Sequence, residues 1–159
     1  MMIRRSFLLT LPLVLALAAC GADPRASSKG MSPDQLPLQP GESTELRGLI
    51  NKYADHYEVP RTLVHRIVQR ESGYNPTARN GSYMGLMQID PRTASTMGFS
   101  GSSRELLDAE TNLKYAVKYL RGAWLCADGN EKEAVGWYAR GYYYEAKRRG
   151  ILKDAGLRG

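Results

Sequence analysis

Apolar residues recur at helical spacing in four stretches of this 159-residue chain, and these stretches predict its main helices. The first helix follows Ser43 or Thr44, the second runs from Pro60 to Gly73, the third from Asp108 to about Ala127, and the fourth from Glu131 to about Arg140. Asp90 and Pro91 predict a further short helix that ends at Gly98. Because no long stretch alternates between apolar and polar residues, the predicted fold class is all-α or nearly so. We expect residues 43–159 to form one domain, with about 115 residues around a single core.

Residues 73–91 have no helical period. Asn80 and Gly81 form a tight-turn signal, and residues 85–89 (GLMQI) are a short apolar run with one polar residue inside it. This pattern predicts either a small hairpin or an ordered loop directly after the second helix.

The chain begins with the features of a secretory signal peptide. Two arginines precede an apolar run over residues 7–19, which is too short to span a bilayer as a stable helix. The run ends in the sequence LAACG at residues 17–21, which resembles the lipobox of bacterial lipoproteins. The resemblance implies that residues 1–19 are removed as a lipoprotein signal peptide and that Cys20 becomes an acylated N-terminus. Such a protein is anchored to a membrane without spanning it.

Residues 21–42 are rich in proline, glycine and serine and contain almost nothing large enough to build a core. Together with Cys20 they are expected to form a flexible tether, whose length lets the domain sample about 25 Å from the lipid. Gly21, where an aspartate would favour retention in the inner membrane of some Gram-negative lineages, favours the outer membrane. The expected location is therefore the periplasm, with the protein lipid-anchored to the outer membrane.

The formal charge of +6 falls to +4 when Arg4 and Arg5 are removed with the signal peptide. This excess suits an acidic polymer or an anionic membrane surface but is too small to indicate nucleic acid. Cys126 is the only cysteine besides Cys20, so no intramolecular disulfide can form once Cys20 is acylated. We expect Cys126 to be a small core residue.

Glu71 falls within the apolar stripe of the second predicted helix, where a leucine would be expected. The stripe is formed by Leu63, Val64, Ile67 and Val68. Burial disfavours the charged form of a carboxyl group, so we expect a raised pKa, as a general acid requires near pH 7. The alternative is a glutamate at a frayed helix end that points into water.

Other common catalytic groups are poorly represented in the sequence. His56 and His65 are the only histidines, and neither belongs to a metal-binding motif. The G-x-S-x-G nucleophile motif and the phosphate-binding loop motif are both missing. Between Glu71 and Glu105 the only other acid is Asp90, which the helix cap explains, so a two-carboxylate glycosidase is not evident.

Three motifs, in order, resemble the soluble-lytic-transglycosylase-like (SLT) domain of bacterial peptidoglycan lytic transglycosylases, which has a lysozyme-like α fold. They are ESGYNP at residues 71–76, GLMQI at residues 85–89 followed by Pro91, and WYARG at residues 137–141. The resemblance covers roughly residues 46–141. The third motif departs from the family's A-Y-N-A-G, because Ala139 stands at the asparagine position, and Asp90 stands where many members have methionine.

The resemblance assigns roles to individual residues. Glu71 corresponds to the single catalytic acid/base of the family. The substrate-binding positions are Ser72, Met87, Gln88 and Tyr138, with the tyrosine near the catalytic glutamate. No metal and no organic cofactor are implied.

The implied reaction is cleavage of the bond between N-acetylmuramic acid and N-acetylglucosamine without water, leaving a 1,6-anhydro end. The expected partners are peptidoglycan glycan strands and a membrane reached through the lipid anchor, with no nucleic acid, and the protein is expected to be a monomer. Two alternatives remain open. One is a non-catalytic peptidoglycan-binding lipoprotein, and the other is a hydrolytic muramidase.

Overall fold

A computed structural model describes residues 33–157 of the chain. Its helices are α1 (Thr44–His56), α2 (Arg61–Ser72), α3 (Pro91–Thr96), α4 (Ala109–Cys126), α5 (Glu131–Arg140) and α6 (Tyr143–Arg148), and its strands are β1 (Arg79–Asn80) and β2 (Tyr83–Met84). Within the described residues these two strands form the only sheet, so the predicted fold class is confirmed. The predicted signal peptide and the lipidation site at Cys20 lie outside the described residues.

Helix α4 is the centre of the core. Its cap is the predicted one, since the Asp108 side chain accepts a hydrogen bond from the Thr111 amide at 2.8 Å. The buried face comprises Leu113, Ala116, Val117, Leu120 and Ala123, all fully buried. Helices α1, α3, α5 and α6 pack around it. Cys126, at the end of the same helix, is 1% exposed and therefore lies in the core as expected.

The segment after α2 forms the small hairpin that was one of the two predicted alternatives. Strands β1 and β2 pair antiparallel, with Asn80 opposite Tyr83. Gly81 between them has a φ of +59°, which suits a tight turn. A further bridge joins Met84 to Ile89 through two backbone hydrogen bonds of 3.1 Å, and it closes the loop that carries the GLMQI motif.

Asn112 of α4 fixes this loop from below. Its fully buried amide nitrogen donates to the carbonyls of Met84 and Leu106, both at 2.8 Å. Its amide oxygen accepts from the Met87 backbone amide at 3.0 Å. Gly85 has a φ of +72°, and a Cβ atom there would lie 2.3 Å from the Asn112 amide nitrogen, so only glycine fits. These three hydrogen bonds therefore fix the position of the GLMQI loop relative to α4.

Residues 33–42, which we call the N-terminal strap, correct the predicted tether. The tether was expected to extend to residue 42, but the strap begins with a 3-10 turn (Pro33–Gln35) and packs on α2. Pro33 and the side chain of Glu42 are buried. The composition of this segment misled the prediction, because hydrogen bonds to distant side chains, rather than apolar burial, hold it in place.

Arg47 of α1 makes most of these bonds. Its guanidinium donates to the Glu42 carboxylate at 2.6 Å and to the Pro37 carbonyl at 3.0 Å, and it also donates to the Leu36 carbonyl. The Gln39 backbone amide donates to the same carboxylate at 2.8 Å. The strap is thus ordered by one arginine that reaches back over it.

His65 of α2 lies beneath the strap, although the helical pattern had placed it on the polar side. Its Nδ1 is 3.2 Å from the Tyr74 hydroxyl and its Nε2 is 3.1 Å from the Asn51 side-chain oxygen. Burial is the main reason that the pKa of His65 is lowered from its usual value. His65 is buried rather than exposed because the strap covers a face of α2 that would otherwise be in contact with solvent.

Two elements were not predicted as helices. The first is the 3-10 helix Ser103–Leu107, which starts with a capping box between Ser102 and Glu105. The second is α6, which follows a buried Tyr142 whose hydroxyl donates to the Tyr119 carbonyl at 2.8 Å. Across residues 33–157, none of the helices is both long and apolar enough to cross a membrane.

Candidate active site

A cleft runs along the surface where the end of α2, the β1–β2 hairpin and α5 meet. Its larger part, the inner cavity, has a volume of about 680 Å³ and is lined among others by Glu71, Ser72, Arg79 and Asn80. The adjoining outer cavity of about 310 Å³ is lined among others by Asp90, Arg92, Thr93, Tyr119 and Arg140. Tyr83, Gln88, Tyr138 and Ala139 line both cavities. The two cavities are therefore continuous, and a chain-like ligand fits this shape better than a compact one.

Glu71 lies in the last turn of α2, which ends at Gly73 with a left-handed φ of +56°. Its side chain is 24% exposed, which is intermediate between the two placements predicted from the sequence. The Arg70 guanidinium donates to its Oε1 through Nε at 3.0 Å and also through a closer Nη2 contact. The carboxylate is thus half-buried, faces the inner cavity and has one cationic partner.

Tyr138 enters the same cavity from α5 and is only 8% exposed. Its hydroxyl donates to the Met87 carbonyl at 2.9 Å. Burial raises the pKa of Tyr138 well above its ordinary value, and the charge of the nearby Glu71 raises it further. The hydroxyl therefore stays protonated and links α5 to the GLMQI loop beside the carboxylate.

Gln88 is oriented by the loop that carries it. Its backbone φ is +47°, an uncommon conformation for a residue with a side chain. Its amide nitrogen donates to the carbonyls of Ala78 at 3.1 Å and Gly85 at 2.9 Å. Both contacts are acceptors, so the amide oxygen must point the other way, and it has no partner within residues 33–157. This oxygen is available to accept a hydrogen bond from a ligand in the cleft.

The other two predicted substrate-binding residues, Ser72 and Met87, differ in their position relative to the cleft. Ser72 lines the inner cavity, and its hydroxyl donates to the Val68 carbonyl one turn earlier at 3.1 Å. Met87 is fully buried and lines neither cavity. Its backbone holds the site, because its carbonyl binds Tyr138 and its amide binds Asn112. Three predicted residues therefore lie around the cleft with Glu71, and Met87 supports them from below.

Tyr83, Arg79 and Asn80 line the cleft and were not predicted to do so. All three lie on the hairpin, and Tyr83 is 51% exposed at the junction of the two cavities. The turn signal at Gly81 was visible in the sequence, but it did not say which face of the hairpin would border Glu71.

Asp90 is the second carboxylate of the cleft, and hydrogen bonds and an ion pair hold its side chain in place. It accepts from the Ser82 hydroxyl at 2.7 Å and from the Arg92 backbone amide at 2.8 Å, and it pairs with the Arg92 guanidinium at 3.1 Å. The Arg92 side chain is the largest cause of the lowered pKa of Asp90, about 2, followed by the Ser82 hydroxyl. Asp90 is therefore ionised at neutral pH and caps α3 as predicted.

Among residues 33–157 there is no group of three or more histidine, cysteine, aspartate or glutamate side chains placed to hold a metal ion.

The chain is similar to several known proteins. A family model described as the transglycosylase SLT domain matches residues 48–153. Membrane-bound lytic murein transglycosylase C of Haemophilus influenzae (strain PittEE) is 39% identical in an 80-residue alignment that covers 45% of this chain and 22% of that protein. Protein IpgF of Shigella flexneri is 34% identical in a 98-residue alignment that covers 57% of this chain and 64% of that protein.

The chain thus matches less than a quarter of the length of transglycosylase C. The family match contains α2, the hairpin, α3, α4 and α5, and thus every element that borders the cleft. Because the family model matches well over half of the sequence, the chain belongs to the transglycosylase SLT domain family.

Proposed function

We propose that this protein is a peptidoglycan lytic transglycosylase that uses Glu71 as its only catalytic carboxyl group. The observation that carries the proposal is the position of Glu71, half-buried at the end of α2 in a long cleft beside Tyr138 and Gln88. The family match supports the same reaction.

In the first step Glu71 protonates the glycosidic oxygen between N-acetylmuramic acid and N-acetylglucosamine, while the substrate's own N-acetyl group stabilises the cationic carbon. Glu71 must carry a proton to do this, and the Arg70 cation favours the ionised form. The glycan therefore has to separate the pair, and the Arg70 side chain, 43% exposed, has room to move.

In the second step the ionised Glu71 accepts a proton from the C6 hydroxyl of the muramoyl residue. That hydroxyl attacks C1, and the 1,6-anhydro ring closes. Arg70 suits this step, because its charge stabilises the carboxylate left by the first proton transfer. The Gln88 amide oxygen and the Tyr83 ring, which both face the cleft, hold the sugars in place.

The absence of a free second acid in the described part of the cleft favours this reaction over hydrolysis. Muramidases of the two-carboxylate design need the second acid to activate water or to act as nucleophile. Asp90 is the other carboxylate there, and Ser82 and Arg92 occupy its oxygens. A hydroxyl of the bound substrate is already close to the reacting carbon and carries little further entropic cost.

The same proposal places the enzyme in the periplasm, anchored through acylated Cys20 to the outer membrane. The lipobox-like sequence supports this anchor, and the name of the transglycosylase C relative describes that protein as membrane-bound. Replacing Cys20 with alanine should leave an unprocessed or released protein without lipid label. Fractionation of the variant with membranes at the mature mass would overturn the anchor assignment.

The decisive experiment for the reaction is to incubate the purified protein with isolated sacculi and to weigh the soluble products. Muropeptides that end in 1,6-anhydro-muramic acid, one water lighter than lysozyme products and without a reducible end, are expected. Free reducing ends would indicate a hydrolytic muramidase. Intact sacculi that retain bound protein would indicate a peptidoglycan-binding lipoprotein.

A further inference from the structure

The charged side chains that line the two cavities are unevenly paired. Each of the two carboxylates has an arginine one or two residues away in the chain. Glu71 pairs with Arg70, and Asp90 pairs with Arg92 at 3.1 Å. These four charges cancel within the cleft walls.

Two further arginines, Arg79 and Arg140, line the cleft without a carboxylate partner among residues 33–157. The cleft therefore carries two uncompensated positive charges. Arg79 is exposed on β1, with no ring or ion-pair contact in the described structure to fix its guanidinium. Arg140, the last residue of α5, is exposed and is one of the residues that line the outer cavity.

The Arg140 guanidinium stacks on the Trp137 ring and occupies the space left by the missing side chain of Gly136. The guanidinium carbon lies 3.8 Å from the centroid of the Trp137 ring. A Cβ atom at position 136 would lie 2.6 Å from the Arg140 Nη1 atom, so any larger residue would displace the guanidinium. Glycine inside a helix lowers stability relative to alanine, and here it gives the space that the stacked arginine occupies.

Stacking on an aromatic ring uses one face of a guanidinium. The N–H groups lie in the guanidinium plane and remain free to donate hydrogen bonds. This arrangement matches the two oxygens of a carboxylate. In peptidoglycan the N-acetylglucosamine units have no carboxylate, while the muramoyl residues carry one either on the lactyl group or on the stem peptide attached to it.

We propose that Arg140 is a specificity-determining residue that binds a carboxylate carried by a muramoyl residue in the outer cavity. This inference rests on the proposed function and adds the substrate class, a glycan that bears carboxylates. Ala139 beside it lines both cavities and has a small side chain, which does not stand between Arg140 and a ligand. A neutral chitooligosaccharide gains nothing from this contact.

The test compares Arg140→Ala with Gly136→Ala, which keeps the charge but removes the space for the stacked guanidinium. The matched control is Lys132→Ala, which removes one exposed cation from the same helix outside both cavities. Kd is measured for soluble muropeptides and for a chitooligosaccharide in a Glu71→Gln background, so that no ligand is consumed. KM and kcat on sacculi are measured with Glu71 present, and circular dichroism checks that each variant folds.

Arg140→Ala and Gly136→Ala are each expected to raise the muropeptide Kd by about three- to tenfold, with the chitooligosaccharide Kd unchanged. The effect should shrink as salt is added, and kcat should change little. Lys132→Ala should behave like the parent protein. Equal weakening of both ligands, or no weakening of muropeptide binding, would overturn the role of Arg140.

Glycan strands stripped of stem peptide by an amidase distinguish the two sources of the carboxylate. The lactyl carboxylate is free only where the stem peptide has been removed. Loss of affinity on muropeptides alone would therefore assign the contact to a carboxylate of the stem peptide, and loss on stripped strands as well would show that Arg140 also binds the lactyl carboxylate. If sacculi release no product with any variant, the proposed reaction fails, while the binding measurements still decide the role of Arg140.

Discussion

On one side of α2, His65 faces the N-terminal strap, and on the other side Glu71 faces the cleft. Both ring nitrogens of His65 are occupied, and the buried Glu42 carboxylate above it accepts three hydrogen bonds from Arg47 and the Gln39 amide. On the cleft side, Glu71 has Arg70 as its only partner within the described part of the chain. Polar groups on the strap side are thus saturated by the protein itself, whereas those on the cleft side keep capacity for a ligand.

Because of this difference, we expect the strap side of α2 to contribute mainly to stability and the cleft side mainly to activity. A buried polar network stabilises a fold only when its members are satisfied, and breaking it leaves buried charge without a partner. A half-exposed ion pair contributes little to stability because water competes with it. The same chemical change on the two sides of α2 should therefore have opposite effects on the two properties.

The largest effect is expected from Glu71→Gln. Removing the acid/base should lower the rate of muropeptide release by at least about 100-fold. The free energy of unfolding at pH 7 should change by no more than about 1 kcal/mol, because only the half-exposed Arg70 pair is lost. Product release from sacculi and urea unfolding measure the two quantities.

Glu58→Gln is the matched control, since Glu58 also pairs with an arginine, Arg121 at 3.0 Å, but lies outside both cavities. It should release muropeptides at the parent rate. Near-full activity of Glu71→Gln would remove Glu71 from the mechanism, and unfolding of that variant would mean that its carboxylate is needed for the fold.

The second effect is expected from Glu42→Gln, the same substitution on the strap side. It leaves the Arg47 guanidinium, whose side chain is 12% exposed, without its counter-ion, and should lower the free energy of unfolding by about 3 kcal/mol. Folded molecules should still cleave sacculi, because Glu42 lines neither cleft cavity. Denaturant unfolding at pH 7, with activity measured at low temperature, tests both statements.

The pH dependence of this variant gives a second measurement. Burial raises the pKa of Glu42, but the hydrogen bonds from Arg47 and from the Gln39 backbone outweigh it, so the pKa lies below 4.5. A carboxyl group with a lowered pKa stabilises the fold above its unfolded pKa and loses this contribution in acid. The difference between parent and variant should therefore be full at pH 7, begin to fall as the pH drops below 4.5, and disappear once the pH is below the lowered pKa of Glu42. A difference that persists in acid would contradict the ion-pair explanation.

The smallest effect is expected from Asp90→Asn in the outer cavity. Asparagine is an equally good helix cap, and the lost ionic partner, Arg92, is 91% exposed, so the stability change should be under about 1 kcal/mol. Because the pKa of Asp90 is lowered from 3.8 to about 2, the change should be present at pH 7 and vanish as the pH falls between these values. Unfolding at a series of pH values measures it. A loss of activity as large as that of Glu71→Gln would make Asp90 the second carboxylate and contradict the one-acid mechanism.

The sequence predicts α1 to α5 and the position of Glu71 at the end of α2, because both depend on local signals. The caps at Asp90 and Asp108 and the terminating Gly73 act within a few residues of their own positions. The strap could not be predicted in this way, since Arg47 binds a carbonyl that lies eleven residues away in the chain. Tyr83 lines the cleft because of the orientation of the hairpin. Asn112 fixes this orientation from α4, which is distant in the chain.

The contact between Gly41 and Gly73 has a mechanical consequence. Gly41, with a φ of +83°, lies so close to the helix terminus that a Cβ atom there would be 2.6 Å from the Gly73 carbonyl oxygen. The strap thus touches α2 two residues from Glu71. A force applied to the N-terminal end of the strap would first load the contacts of Asp34 with Asn51 and Arg61, then the Arg47 hydrogen bonds, and only after these the terminus of α2. The strap would therefore act as strain relief between its own N-terminal end and Glu71.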